Sequence, residues 1–364
     1  MALAAALVAP DAHADAIRYR YVDLSQVALP APYAIFSPST VIDGRVVGTV
    51  FDAAFTVEAI AVYRDGAITV GPAGSASVAN DRGEVGGANM VGQAALFMRG
   101  NTTLVPQLPN EAFANVAGLS RDGLALVSST DIFGNLSLAY FRNGTETVIN
   151  FNLPDPMFNG FMNDFGQVSA TKQESPTDHF WHGYRYDPWS QQTTLLPPFA
   201  GDATDTMVLV QGIHDDGEVL GYSFVQFGVS PYHERVGVWD RSAVFHPFFE
   251  ETINTNLLVF NDADQIVISN TSDGNSYLVP FPGTRLNLAD ITVNVPAGVQ
   301  LSTSVGIDNR GNIAGLAFDA NFNAYPFLLA PMRDSDGYPG DGHAGGCPIP
   351  WGIARGWDAK RAHK

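Results

Sequence analysis

The densest set of proton carriers and potential metal ligands in this chain is Asp178-His179-Phe180-Trp181-His182, a carboxylate followed by two imidazoles three residues apart. On a helix, His-x-x-His puts both rings on one face, where they can clamp a metal ion. Here the segment leads from a loop into a strand. His182 also falls where equivalent segments carry Gln93, Ser137, Arg235 and Asn275, so a framework role accounts for it without metal. A second such stretch, Tyr222 to Glu234, holds Phe224, Phe227, Tyr232 and His233. Aromatic faces beside polar groups suit sugar rings or protein side chains. The candidate ligand-binding residues are therefore Asp178, His179, Trp181, Phe227, Tyr232, His233 and Glu234, and the competing reading is that these rings cover the core.

A third constellation is acidic: Asp43, Asp81, Asp122, Asp164, Asp216, Asp262 and Asp308 recur in Asx–Gly turns. Oxygen ligands gathered in a ring attract calcium, but Asx residues are also what such turns need, so the metal question stays open. Asp334-Ser335-Asp336-Gly337 resembles part of an EF-hand loop, yet its first and twelfth positions would be Met332 and His343. No Gly-rich loop carries a lysine at phosphate spacing, and no G-x-S-x-G elbow occurs. No cofactor is expected.

These residues are placed by a repeat. The turns at Val41–Gly44, Ala79–Gly83, Ser120–Gly123, Met162–Gly166, Ile213–Gly217, Phe260–Asp264 and Ile307–Gly311 end at positions spaced 39, 40, 43, 51, 47 and 47 residues apart. Around each, a strand runs in and another runs out. In the second copy Ser77–Ala79 enters, Glu84–Gly87 leaves, Ala94–Met98 is a third strand and Thr102–Val105 a fourth, ended by Pro106. Four residues past the turn a small side chain recurs (Gly48, Gly87, Ala170, Gly221, Gly315), which marks a close approach by another backbone or side chain.

Four antiparallel strands per 40–50 residues, seven times over, predict an all-β seven-bladed β-propeller, with a β-sandwich plus a second β domain as the alternative. The seventh copy runs out after Phe327–Leu329, while an unassigned strand, Ile17–Leu24, stands at the front. Pairing these two closes the last blade with the N-terminal strand. The sixth copy, with Asp264 in place of glycine, is expected to be irregular. Residues 17–331 form the propeller in this reading, with a signal-peptide-like leader over 1–16 and a disordered tail over 332–364.

These units resemble the bacterial extracellular HAF repeat, which runs Ile-Asn-x-x-Gly-x-Val-Val-Gly and then His-Ala-Phe-Leu-Trp. Asp43–Gly48 and Gly306–Gly315 match the first half, and Gln93–Phe97, His182–Tyr186 and Arg235–Trp239 paraphrase the second. The resemblance implies a secreted propeller and brings no catalytic residues with it.

Composition sets the remaining bounds. The chain has 364 residues and 37 acidic against 19 basic side chains, a net charge of −18 with lysine only at 172, 360 and 364. Nucleic acid, whose phosphates need Lys and Arg, is excluded as an expected partner. No apolar run is long enough to span a bilayer. Cys347 is the only cysteine, so neither disulfides nor thiolate metal sites are expected. Leu3–Ala9 followed by Ala12-His13-Ala14 has the form of a secretory leader with its cleavage site, predicting an extracellular or periplasmic location. The overall expectation is a monomeric, non-enzymatic binding module for a glycan or protein. The alternative is a propeller hydrolase or lyase acting on polysaccharide or peptide, using carboxylates with His179 or His233.

Overall fold

The computed structural model describes residues 17–98, 101–108, 110–149, 157–173, 180–225, 234–251, 255–270, 274–280 and 283–332. The protein is a seven-bladed β-propeller. Blade 1 consists of Tyr33–Ile42, Arg45–Asp52, Glu58–Arg64 and Ala67–Ala73, paired antiparallel in that order. Blades 2 to 6 repeat the pattern over residues 75–104, 111–148, 157–196, 205–251 and 255–287. Blade 7 takes Gln300–Ile307, Ile313–Phe318 and Ala324–Pro331 from the end of the array and its fourth strand, Tyr19–Asp23, from the front.

The first strand of every blade touches the first strands of both neighbours, and the one in blade 7 touches blade 1, so these strands line the axis. Between blades lie seven separate apolar clusters, one at each junction among the described residues. Alternation explains them: a strand between two neighbouring sheets buries both faces, as in Val219–Val225, where every residue is buried. At the closing junction Tyr19, Tyr21, Phe327 and Leu329 of blade 7 pack with Val267 and Leu278 of blade 6.

The recurrent small residue has a specific cause. In blades 1, 2, 5 and 7 the first strand bulges where it faces Gly48, Gly87, Gly221 and Gly315. The bulge pushes a carbonyl inward: a Cβ on Gly48 would lie 2.1 Å from the Ser37 oxygen, and one on Gly87 1.9 Å from that of Ser75. Blades 4 and 6 lack a bulge there and hold Ala170 and Ile268 instead. Blade 3 keeps the bulge with Val127, which nothing in the structure explains.

Two features depart from expectation. The closing strand is held on both sides, because Thr292–Val293 pairs with it in parallel and the Tyr19 amide donates to the Ile291 carbonyl at 2.8 Å. The fourth strand of blade 5 runs over Phe245–Glu251, through Pro247. A proline is tolerated there because the strand is the outermost of its blade and is bulged at that point. Blade 6 is irregular in its fourth strand, which spans only Leu286–Asn287, and Asp264 occupies the left-handed region at φ 60°. No helix among the described residues is long and apolar enough to cross a membrane.

Candidate functional site

The Asx corners lie on one face of the ring and are stitched together around the axis. In blade 2, Asn80 Oδ1 accepts the amides of Arg82 (3.2 Å) and Glu84 (3.1 Å), closing its own turn. Its Nδ2 donates onward to the Ser120 carbonyl of blade 3 at 3.0 Å. Asn163 does the same toward His214 of blade 5 (2.7 Å), and Asn261 toward Asp308 of blade 7 (2.8 Å). The other steps use different groups. Arg45 donates to the Asp81 carbonyl, the Arg121 amide to Asp164 Oδ1, and the Gly44 amide to Asp308 Oδ2. Between blades 5 and 6 the buried His214 faces Asp264 at 3.3 Å and stacks on Phe260. An Asx side chain suits a corner because one atom closes the turn while the other bridges blades, the asparagines by donating a hydrogen bond and Asp308 by accepting one.

Carboxylates crowd this ring. Burial first, and then the charges of Asp262 and Asp164, push Asp215 up to about 6 even though it accepts the Asp164 amide. Burial also raises Asp164 and Asp264. Arg121 lies among them, 2.9 Å from Asp81 and 3.5 Å from Asp164. Among the described residues no group of three or more His, Cys, Asp or Glu is arranged to hold a metal ion.

Outside this ring, where the turns between third and fourth strands stand beside the corners, two grooves open. The larger, about 580 Å³, spans blades 2 to 5 and is lined by Arg82, Arg121, Asp122, Tyr140, Arg142, Thr145, Thr147, Asp164, Phe165, Trp189 and Asp215. Arg142 and Asp122, both of blade 3, pair in its lining at 2.6 Å, and Ser120 Oγ donates to the same carboxylate. These hydrogen bonds, with the Arg142 charge, hold Asp122 below the usual carboxylate range against the opposing effect of burial. The Tyr140 hydroxyl donates to the Gly166 carbonyl, which fixes the base of the groove. Phe165 is 61 % exposed and Trp189 80 %. The smaller groove, about 350 Å³, lies between blades 4 and 5 and includes Arg185, Asp187, Ser190, Gln192, Asp216 and Arg241. The blade 4 turn over residues 187–192 forms the wall they share; Asp187 Oδ1 accepts the amides of Trp189 and Ser190 and so fixes it.

Of the residues expected from sequence, Trp181 and Glu234 lie near the opposite ends of the strands. Asp178, His179, Phe227, Tyr232 and His233 fall outside the described residues. Trp181 is half-buried at the start of the third strand of blade 4 and meets Phe224 of blade 5 edge-on at 5.9 Å between ring centres. Glu234 is buried and lies directly across the ladder from that same Phe224. Trp181 and Glu234 thus belong to neighbouring blades, and both meet Phe224. One part of the expectation needs correction: Tyr222 and Phe224 belong to a strand and are buried, because the second strand of blade 5 continues to Val225. Beside them Arg235, also buried, pairs with Asp205 at 2.5 Å, Asp202 at 2.9 Å and Glu250 at 3.2 Å.

The corner-face grooves were missed because the corners read as framework. The signal was present within one copy. Before the closing residue of the corner, other copies hold Asp43, Arg82, Asp122, Asp216, Ala263 and Arg310, and the fourth holds Phe165. Its turn between third and fourth strands carries Pro188-Trp189, where blades 1 and 3 have Asp65-Gly66 and Asn143-Gly144.

No protein-family model matches the chain, and no curated protein matches its sequence. Solved structures do match in shape. The β-propeller domain of the Trilobed protease from Pyrococcus furiosus aligns with a TM-score of 0.57 at 12% identity, covering 84% of this chain and 100% of that one. Virginiamycin B lyase from Staphylococcus aureus aligns at 0.52 and 12% identity, covering 86% and 99%. Acylaminoacyl peptidase from Pyrococcus horikoshii aligns at 0.52 and 12%, covering 80% of this chain and 50% of that one. At such identities the likeness establishes the architecture alone.

Proposed function

We propose that this propeller is a secreted, non-enzymatic binding module whose recognition surface for a glycan or protein is the corner face between blades 2 and 5. One observation carries the reading. Phe165 and Trp189 present their rings to solvent in one groove whose base is fixed by hydrogen bonds. Single exposed aromatics are ordinary, as Phe55, Phe133 and Phe322 show, but two that share one groove mark an interaction site, and preorganised side chains lose little entropy on binding. Beside them Arg142 pairs with Asp122 and Arg121 with Asp164, an arrangement that fixes both kinds of charge where a ligand would lie. Export is supported by the leader-like residues 3–14 and by the resemblance to HAF repeats.

The test is a glycan array and a peptide array run in parallel with the wild type and Trp189→Ala, with turnover assays on the same ligands. Binding without turnover, lost in the variant, is the expected result. Turnover that survives Trp189→Ala would replace this reading with the hydrolase or lyase alternative.

A further inference from the structure

We infer that the two corner-face grooves together bind a neutral polysaccharide chain, which crosses the face with one sugar ring stacked on Trp189. This rests on the corner face being the binding surface and goes beyond it by naming the ligand.

The first argument is shape. The grooves of about 580 and 350 Å³ share the turn over residues 187–192 as a wall, with Pro188 and Trp189 on one side and Ser190 and Gln192 on the other. A ligand longer than one groove must pass over Trp189. A linear polymer meets that condition, whereas a small metabolite needs only one groove.

The second is charge. In the larger groove Arg82, Arg121 and Arg142 are matched by Asp122, Asp164 and Asp215, and in the smaller Arg185 and Arg241 by Asp187 and Asp216. Neither groove carries a net charge, and the chain as a whole stands at −18. A polyanion would meet that field with no local excess of cations to offset it, a basic peptide would find no local excess of carboxylates, and a neutral ligand needs neither.

The third is hydrogen bonding. The pairs Arg142–Asp122 (2.6 Å), Arg121–Asp164 (3.5 Å) and Arg241–Asp216 (3.7 Å) are partly open to solvent. A guanidinium has five N–H donors and a carboxylate about four acceptor sites, so each pair keeps both kinds free. A vicinal diol uses one donor and one acceptor together, which such a pair supplies side by side. The hydroxyls of Thr145 and Thr147 add to this, and the Phe165 and Trp189 rings take the C–H faces of the sugars.

The experiment is calorimetric titration of the full chain with three panels: neutral hexasaccharides (glucan, mannan, xylan, galactan), oligouronates, and acidic and basic decapeptides. Wild type, Trp189→Ala and Arg142→Gln are compared. Trp189 belongs to none of the apolar clusters, so an unchanged melting temperature verifies that its variant folds. The expected result is binding of at least one neutral hexasaccharide, weakened tenfold or more by Trp189→Ala and several-fold by Arg142→Gln, with little dependence on salt. Oligouronates or peptides binding through Trp189 in place of neutral sugars would overturn the ligand class while leaving the surface in place. Neutral binding untouched by both variants, or no binding in any panel, would overturn the inference and the corner-face reading together.

Discussion

Replacing Tyr19 by alanine tests whether the N-terminal strand locks the ring. Tyr19 is only 2 % exposed, lies opposite Pro331 in the ladder and packs in the cluster shared by blades 6 and 7. Its hydroxyl is shifted strongly upward by burial and by nearby Asp308, so it remains neutral at any physiological pH. Truncating a buried aromatic removes its transfer energy and leaves a cavity, together about 3–5 kcal/mol. For a domain of this size each kcal/mol is about 1.5 °C, so Tm should fall by roughly 5–8 °C. Arg20, the next residue, points to solvent, and Arg20→Ala is the matched control. Thermal melts followed by circular dichroism read both. If Tyr19→Ala melts within a degree of Arg20→Ala, the strand is not what holds blade 7 together.

Gly87→Val places a side chain where the Ser75 carbonyl already sits, and scanning calorimetry should show it destabilised by about 1–3 kcal/mol or more. Asp215 gives a pH signature. Its folded pKa of about 6 exceeds the roughly 3.9 of an unfolded chain, so the folded state holds a proton that the unfolded state releases in that window. Stability therefore falls as pH rises from about 4 to 6, and Asp215→Asn, which keeps the acceptor for the Asp164 amide, should flatten this slope in melts at stepped pH. At the blade 5–6 corner, His214→Asn with Asp264→Gly gives this junction the Asn-and-Gly combination of the 2–3, 4–5 and 6–7 junctions and removes a left-handed aspartate. The double variant should melt above the wild type at pH 7, by about 1 kcal/mol for the backbone relief alone.

The architecture was legible because its determinants are local and repeated. An Asx and a glycine at each corner, alternating apolar residues on either side, and a spare strand at the front each carry the ring in a few adjacent positions. Gly48 and Gly87 announced a close approach, although only coordinates identify the bulged carbonyls of Ser37 and Ser75 as the neighbours. The stitch from Asn80 Nδ2 to the next blade was not legible, because its partner lies 40 residues away and is a backbone oxygen. Phe224 was misplaced for a related reason. A run of aromatics at the end of a strand reads as the start of a loop until its ladder partner, Glu234, is seen. The grooves depend on which residues of blades 2, 3, 4 and 5 converge in space, and that information is spread over more than a hundred positions. Phe165 and Trp189 were visible only as departures within a single copy.

The binding face is tested most directly by hydroxyl-radical footprinting of the protein alone and saturated with the tightest-binding neutral hexasaccharide. Protection of Trp189 and Phe165, with Trp181 unchanged, is the predicted result. Protection confined to the opposite end of the strands, around Trp181 and Glu234, would contradict it.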